Sequence, residues 1–451
     1  MKGRSIFMSK EISFSRIKEC QDSFYSQSNH LLSQRAVMKN GILASSENQQ
    51  AIVSNNPIFS IDLETGNVAN QKQSGRCWMF AALNTFRHHI LDTYKIKDFE
   101  LSQNYTFFWD KFEKANYFYE NILTTANEEL TSRKVAFLLQ TPQQDGGQWD
   151  MLVAIIQKYG IVPKPVMPET FSSSQSRDLN TYLNKKLRKD AMTLRQLVAN
   201  NASEADIASA KEGMLQEIYN LLATSLGTPP ENFDFSYVDN DGEYQLKRNL
   251  TPQLFYDEFI GRNLNDYVSI INAPTEDKPF NQVYTVDMLG TVVGGKEVRH
   301  LNLDIETFKK LAIEQLKSGE AVWFGCDVGQ SSTRDSGIMA TDVFSVAETL
   351  DIDYSMTKAE RLDYGESLMT HAMVLTGVDL VDNKPTKWKV ENSWGDKVGS
   401  KGYFVMSDEW LNEYTYQIVI NKKFLSEDLL EVIEKDDVTV LAPWDPMGAL
   451  A

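Results

Sequence analysis

Apolar residues recur at helical spacing through the first third of the chain. Trp78, Ala82, Phe86 and Ile90 repeat every four residues, which predicts a helix that begins near Cys77 and buries one face. Comparable spacing predicts three further helices, at residues 105–119, 135–139 and 149–159.

A more charged pattern fills the middle of the chain. Residues 176–226 are rich in Leu, Lys, Arg, Glu and Ala, and a polar stretch interrupts them at residues 200–203. We predict an antiparallel pair of helices joined by a turn at that stretch. The pattern then stays irregular and rich in proline up to about residue 300, after which residues 309–317 predict one more helix.

The last third changes to short apolar runs separated by glycine, Asp-Asn and Lys-Gly turns. Such runs predict strands, here at residues 321–326, 373–378, 388–391, 403–406 and 418–420. Helices and strands are therefore segregated along the chain, which predicts an α+β fold with an antiparallel sheet.

Composition narrows the classes of function. The 451 residues are 42% hydrophobic and 24% charged, as in ordinary globular proteins. A formal charge of −17 argues against nucleic acid as the main partner, because phosphate binding needs a basic surface. Three cysteines are too few for a disulfide framework and fit a reducing compartment. We see no apolar signal core or membrane-spanning run, so we expect no secretion, no membrane partner and a flexible tail at residues 1–7.

One cysteine lies in a segment whose residue types suit nucleophilic catalysis, Gln71-Lys72-Gln73-Ser74-Gly75-Arg76-Cys77-Trp78. A cysteine nucleophile reacts as the thiolate, and a helix N-terminus lowers the pKa of its thiol. Cys77 lies where the predicted helix starts, and the side-chain amide of Gln71 can donate to an oxyanion beside the Cys77 N–H. Cys20 and Cys326 lack this setting and are expected to be small buried hydrophobes.

One of the five histidines must serve as the base for such a thiol. His371 precedes the strand predicted at 373–378, and the next predicted strand leads to Asn392. Neighbouring strands would bring the two side chains together, so that the Asn392 carbonyl fixes the imidazole tautomer and Trp394 shields their hydrogen bond. The other histidines lie ~16 Å down the Cys77 helix or have no partner in view: His88, His89, His30 and His300.

Together these segments resemble the three signature blocks of papain-like cysteine peptidases. Ser74 replaces the first cysteine of that family's Cys-Gly-[Ser/Ala]-Cys-[Trp/Tyr] signature, which suits a protein without disulfides. His371 follows Cys77 by about twice the family's ~130–150 residues, and the helical middle accounts for the excess. Longer stretches resemble the bleomycin hydrolase/aminopeptidase C family, closest to its aminopeptidase C branch in lactic-acid-type Gram-positive bacteria: residues 70–80, 141–149, 364–372 and 441–451.

The resemblance implies a cysteine aminopeptidase of papain-like fold that needs no cofactor and acts on peptides in the cytoplasm as a homohexamer. It assigns Cys77, His371, Asn392 and Gln71 to catalysis. In this family the C-terminal arm folds back into the cleft, where its terminal carboxylate would pair with the substrate's α-ammonium and select free N-termini. The residues assigned to substrate binding are Gly146, Gly147, Ala372, Trp394 and Ala451.

Five regions are expected on this basis. They are an N-terminal extension with a hook-like region (1–60), a helical part with the nucleophile (61–170), an inserted mainly helical subdomain (171–300), a β part with His and Asn (301–440) and the C-terminal arm (441–451). Three alternatives stay open. A catalytically silent peptide-binding relative would lack a reactive group, an endopeptidase of the same fold would accept blocked N-termini, and a nucleic-acid-binding protein would need a local basic groove.

Overall fold

Short helices open the part of the chain that the structure describes. The computed structural model covers residues 11–96, 98–239 and 241–451, so the tail expected at residues 1–7 lies outside it. The first elements are α1 (Phe14–Ser26), α2 (Ser28–Asn40), α3 (Ile42–Ser46), α4 (Gln49–Ser54) and the strand β1 (Ile61–Asp62). Neither α1 nor α2 buries a residue, so both helices are held at the surface.

Four helices build the part that carries Cys77: α5 (Cys77–Tyr94), α6 (Gln103–Thr124), α7 (Arg133–Gln140) and α8 (Trp149–Tyr159). Their positions confirm the helical spacing of the sequence, and α8 has the predicted bounds. The spacing predicts one buried face for α5, but every residue from Cys77 to Arg87 is buried. The reason is that α5 packs against α6 and α8 as well as against the sheet.

The middle of the chain contains α9 (Phe171–Ser174), α10 (Arg177–Ala199), α11 (Glu204–Leu226), β2 (Phe233–Val238), β3 (Tyr244–Leu250) and α12 (Pro252–Phe259). The pair α10 and α11 confirms the predicted helical hairpin. The antiparallel hairpin of β2 and β3 was not predicted. Its first strand alternates aromatic with polar residues, which is the pattern of a half-buried strand, at Phe233, Phe235 and Tyr237.

Most of the remaining chain forms one large sheet. Its strands after β1 are β4 (Tyr267–Ile271), β5 (Gln282–Val286), β6 (His300–Asn302), β7 (Val322–Cys326), β8 (Ser332–Thr333), β9 (Ile338–Met339), β10 (His371–Val381), β11 (Lys384–Glu391), β12 (Tyr403–Ser407), β13 (Thr415–Asn421) and β14 (Val438–Leu441). They lie in the order β14-β5-β6-β4-β13-β7-β10-β11-β12-β9-β8, with β1 paired to β10. The helices along the same stretch are α13 (Ile305–Lys317), α14 (Val346–Leu350), α15 (Lys358–Asp363), α16 (Asp408–Tyr414) and α17 (Glu427–Glu434). Within the described ranges, no helix combines the length and apolar character needed to cross a membrane.

The pairing of strands differs in part from the expected antiparallel sheet. Most pairs are antiparallel, but β4 with β6, β5 with β14 and β9 with β12 are parallel. The strands β4 and β5 also fall within residues 171–300, where a mainly helical insertion was expected. The division of the chain into five regions stays a prediction.

The strand β10 separates two hydrophobic cores. Ala372 and Val374 belong to the core shared with α5, whereas Met373 and Leu375 belong to the core inside the β part. Successive side chains of a strand point to opposite faces, so a strand covered on both sides reads as one continuous apolar run. His371, the first residue of β10, therefore lies where the two parts of the molecule meet.

Candidate active site

Cys77 is the first residue of α5, and its side chain is almost fully buried at 2% exposure. Burial raises the pKa of its thiol to about 11, and hydrogen bonds from the backbone N–H groups of Ala372, Trp78 and Cys77 itself act in the opposite direction. Burial has the larger effect on this pKa, so the isolated thiol stays protonated at neutral pH. Formation of the thiolate requires a neighbouring base.

The backbone N–H of Ala372, the residue after His371, faces Cys77, so the first residues of β10 lie beside the start of α5. The His371 Nε2 lies 2.9 Å from the Oδ1 of Asn392, the residue directly after β11. Antiparallel pairing of β10 with β11 holds the two side chains at the same end of the sheet. A carbonyl oxygen only accepts, so Nε2 carries the proton of this bond and Nδ1 is left to act as base.

The hydrogen bond between His371 and Asn392 is sealed from solvent. The two residues are 4% and 0% exposed, and the Trp394 ring lies 5.0 Å from the imidazole, centroid to centroid. Burial lowers the pKa of His371 to about 4, and the bond to Asn392 opposes this shift. The imidazole is therefore neutral near pH 7 and able to accept a proton.

Gln71 lies in the loop before α5 with its side-chain amide held at both ends. Its Nε2 donates to the backbone oxygen of Ser74 at 2.7 Å, and its Oε1 accepts from the hydroxyl of Ser393 at 2.5 Å. These bonds orient the amide and leave one N–H of Nε2 for another acceptor. Because Ser393 follows Asn392, the same contact ties the Cys77 loop to the end of β11.

The end of the chain lies on the loop that contains Gly146 and Gly147. Ala451 is 4% exposed, and its backbone oxygen accepts a 3.2 Å hydrogen bond from the Gly147 N–H. A Cβ on Gly146 would lie 2.8 Å from the Ala451 oxygen, and one on Gly147 would lie 2.6 Å from the Trp78 ring. Only glycine therefore permits this close packing of the arm, the loop and α5.

The arm is anchored along its length before it reaches the cleft. β14 pairs with β5, and the Asp445 carboxylate lies 3.0 Å from the Lys278 ammonium. The Arg133 guanidinium stacks 3.8 Å from the centroid of the Trp444 ring. These contacts make residues 441–451 a docked segment, in line with its apolar sequence.

Asp145 is a residue of the site that sequence reasoning missed. Its Oδ2 accepts from the Gly75 N–H at 3.0 Å, and its backbone oxygen accepts from the Trp78 indole at 2.8 Å. Burial pushes the pKa of its carboxyl up, but the Lys111 ammonium at 2.8 Å and several hydrogen bonds outweigh burial and hold that pKa well below its ordinary value. Its position directly before Gly146 was the one available signal.

Three of the histidines set aside as bases have partners that the sequence does not reveal. His30 Nε2 lies 2.9 Å from the Asp351 carboxylate, and His300 Nδ1 lies 2.7 Å from the Ser269 hydroxyl. His88 Nε2 lies 2.8 Å from the Glu391 carboxylate. In each case the partner is distant in the sequence.

The other two cysteines differ in burial. Cys326 is fully buried in β7, as expected. Cys20 is exposed, so the expectation of a buried hydrophobe was wrong, and the reason is that α1 buries none of its residues. Across the described ranges, no group of three or more His, Cys, Asp or Glu residues is arranged to hold a metal ion.

Known proteins resemble this chain over almost its whole length. The chain matches the model of the Peptidase C1-like family over residues 11–448. Aminopeptidase C of Streptococcus thermophilus is 59% identical over 93% of this chain and 94% of its own length, and aminopeptidase C of Listeria innocua is 54% identical over 98% and 100%. The crystal structure of PepW from Lactobacillus rhamnosis HN001, at 65% identity, matches with a TM-score of 0.98 over 98% of this chain and 100% of that one, which confirms the expected papain-like α+β fold. On these grounds the chain belongs to the Peptidase C1-like family.

Proposed function

We propose that the protein is a cysteine aminopeptidase, which hydrolyses the first peptide bond of peptides with a free N-terminus. Family membership and the relatives named aminopeptidase C support this reaction. The observation that carries the aminopeptidase assignment is the burial of Ala451 against Gly147, beside the helix that begins at Cys77. A chain end in that place leaves room for about one substrate residue before the scissile bond.

Catalysis in this proposal begins with proton transfer from the Cys77 sulfur to Nδ1 of His371. The thiolate attacks the carbonyl carbon of the first peptide bond, and the Cys77 N–H and the free N–H of Gln71 stabilise the resulting oxyanion. The imidazolium gives its proton to the departing amine, and a thioester remains. His371 then takes a proton from water, which hydrolyses the thioester, while Asn392 keeps the ring in one tautomer.

Substrate selection in this proposal rests on charge at the end of the arm. The terminal carboxylate of Ala451 pairs with the α-ammonium of the substrate in a largely dry cleft, where such a pair is stronger than in water. Gly146 and Gly147 allow an extended backbone to approach closely. Ala372 and Trp394 flank the reacting bond on the side of His371.

We further propose that the protein acts in the cytoplasm as a homohexamer, without nucleic acid as a partner. Support for assembly comes from α1 and α2, which leave large apolar side chains in solvent, among them Phe14, Leu32 and Met38. Support for a reducing compartment comes from three cysteines that are all free. The formal charge of −17 disfavours binding to phosphate backbones.

The proposal is tested with an aminoacyl fluorogenic amide and its N-acetylated form. The proteins to compare are wild type, Cys77→Ala and a chain that lacks Ala451. We expect wild type to cleave only the free amine and Cys77→Ala to cleave neither substrate. The chain without Ala451 should lose selectivity against the blocked N-terminus, because the carboxylate moves away from the ammonium site.

The same experiment separates the alternatives. Equal cleavage of both substrates by wild type would identify an endopeptidase. Absence of turnover by wild type would favour a silent peptide-binding relative. Undiminished turnover by Cys77→Ala would refute the proposed mechanism.

A further inference from the structure

Arg334 carries an unpaired positive charge beside the candidate active site. Its guanidinium carbon lies 4.7 Å from the centroid of the Trp394 ring, and the side chain is exposed. Among the described residues, no acidic side chain forms an ion pair with it, whereas Arg76 and Arg361 pair with Glu169 and Glu413. Its exposed charge is therefore available to a negatively charged ligand.

Arg334 is positioned to contact the part of the substrate that departs after cleavage. Trp394 lies 5.0 Å from the imidazole of His371, the group that protonates the leaving amine in the proposed mechanism. The arm occupies the other side, where Ala451 rests on Gly147. The departing chain therefore leaves past Trp394, towards Arg334.

The distance from the His371 side of the site to the Arg334 guanidinium suits a substrate with one or two residues beyond the scissile bond. The centroid of the Trp394 ring lies 4.7 Å from the guanidinium carbon of Arg334 and 5.0 Å from the centroid of the His371 imidazole. A residue of extended chain spans ~3.5 Å, so a carboxylate one or two residues beyond the scissile bond comes within reach of a flexible arginine side chain. Contact with the face of Trp394 orients the planar guanidinium, which suits bidentate binding of a carboxylate.

We propose that Arg334 determines specificity for short peptides, by binding the free C-terminal carboxylate of dipeptides and tripeptides on the leaving side. This inference rests on the proposed aminopeptidase function. Such a substrate is recognised at both ends, its ammonium by the Ala451 carboxylate and its carboxylate by Arg334. Longer peptides and C-terminal amides engage only the first of these charges.

The test compares kcat/KM for the dipeptide Leu-Gly and for Leu-Gly amide, which contain the same bond and side chains but differ in C-terminal charge. The variants are Arg334→Met, which keeps most of the aliphatic stem, and Arg334→Lys, which keeps the charge. Arg248→Met on β3 is the matched control, because its side chain is 73% exposed and the hairpin of β2 and β3 contributes none of the site residues described above. We expect Arg334→Met to lower the acid-to-amide ratio about two- to fivefold at low ionic strength, the range of an exposed ion pair.

Arg334→Lys should retain part of the preference, and Arg248→Met should retain the ratio of wild type. An unchanged ratio in Arg334→Met, or an equal change in Arg248→Met, would overturn the inference while leaving the aminopeptidase assignment intact. Failure of wild type to hydrolyse either dipeptide would overturn the proposed function itself.

Discussion

At the scale of single residues, desolvation dominates the protonation of the reactive groups. It raises the pKa of Cys77 to about 11 and lowers that of His371 to about 4, so each group is neutral when considered alone. In the proposed mechanism, transfer of a proton between them creates two charges in a dry site. The N–H groups that face the sulfur and the carbonyl of Asn392 would stabilise those charges.

His300 allows the effect of burial on a histidine pKa to be tested separately from catalysis. Burial lowers its pKa to about 4, whereas an unfolded histidine has a pKa near 6.5. Between these values the unfolded state binds more protons, so the free energy of unfolding falls as the pH drops from about 6.5 to 4. Between pH 7 and pH 5, the free energy of unfolding should fall by about 2 kcal/mol less in His300→Gln and in His300→Asn than in wild type. Urea denaturation at both pH values measures this difference. A pH dependence equal to that of wild type in both variants would contradict this account.

At the scale of elements, the loop at residues 144–147 is braced by three parts of the chain. Asp145 binds Lys111 on α6 at 2.8 Å, Asn180 on α10 at 2.7 Å and the Gly75 N–H before α5 at 3.0 Å. The helical middle of the chain therefore contacts the site directly through α10. It supports the loop on which the arm and, in the proposed mechanism, the substrate backbone lie.

Replacement of Asp145 tests this brace. Asp145→Asn leaves the fully buried Lys111 without a counter-charge, so we expect a loss of about 3 kcal/mol of unfolding free energy at pH 7 and a reduced kcat/KM. Its folded-state pKa lies below the unfolded value near 3.9, so the stabilisation is present above about pH 4 and is lost as the pH falls further. The difference between variant and wild type should shrink accordingly in acid.

The matched control for this brace is Asp178→Asn, on the same helix as Asn180 but 76% exposed, which should change stability by less than about 0.5 kcal/mol. Adding Lys111→Met to Asp145→Asn should recover part of the loss, because no buried charge is then left unpaired. Equal stability of Asp145→Asn and Asp178→Asn would refute the role of the brace.

At the scale of the whole molecule, the exposed helices α1 and α2 contrast with a well-buried interior. Phe14, Leu32 and Met38 are 91%, 67% and 81% exposed, although α5 has every residue buried through its first three turns. Apolar side chains grouped on a surface are typical of protein interfaces. The proposed hexamer would cover these side chains.

Leu32→Glu combined with Met38→Glu should break that assembly, because an interface does not accommodate unpaired charge. We expect size-exclusion chromatography with light scattering to give wild type about six times the mass of one chain and the variant a smaller species. Met192→Glu is the control, since Met192 is also exposed, at 52%, but lies on α10. A wild type with the mass of a single chain would refute the hexamer, and an unchanged mass of the double variant would remove α1 and α2 from its interface.

Local pattern was sufficient for much of the helical part, whereas the assignment of Cys77, His371 and Asn392 as reactive residues stays a prediction. The start of α5 at Cys77, the bounds of α8 and the turn between α10 and α11 all follow from spacing among near neighbours. The hairpin of β2 and β3 was also within reach, since its alternation is local. The strands β4 to β6 were missed because short apolar runs among prolines become strands only when partners far along the chain pair with them.

Contacts between distant segments were decided by the tertiary structure alone. Packing of α5 on several sides, the parallel strand pairs, the partners of His30 and His300, the Asp145 brace and the stacking of Arg334 on Trp394 all join residues that no local window contains. Hydrophobic periodicity indicates which face of a helix or strand is buried, but it does not indicate which other element packs against that face. The sequence therefore predicts a chemical role for Cys77, His371 and Asn392, and the tertiary structure decides how deeply these residues are buried and which distant side chains support them.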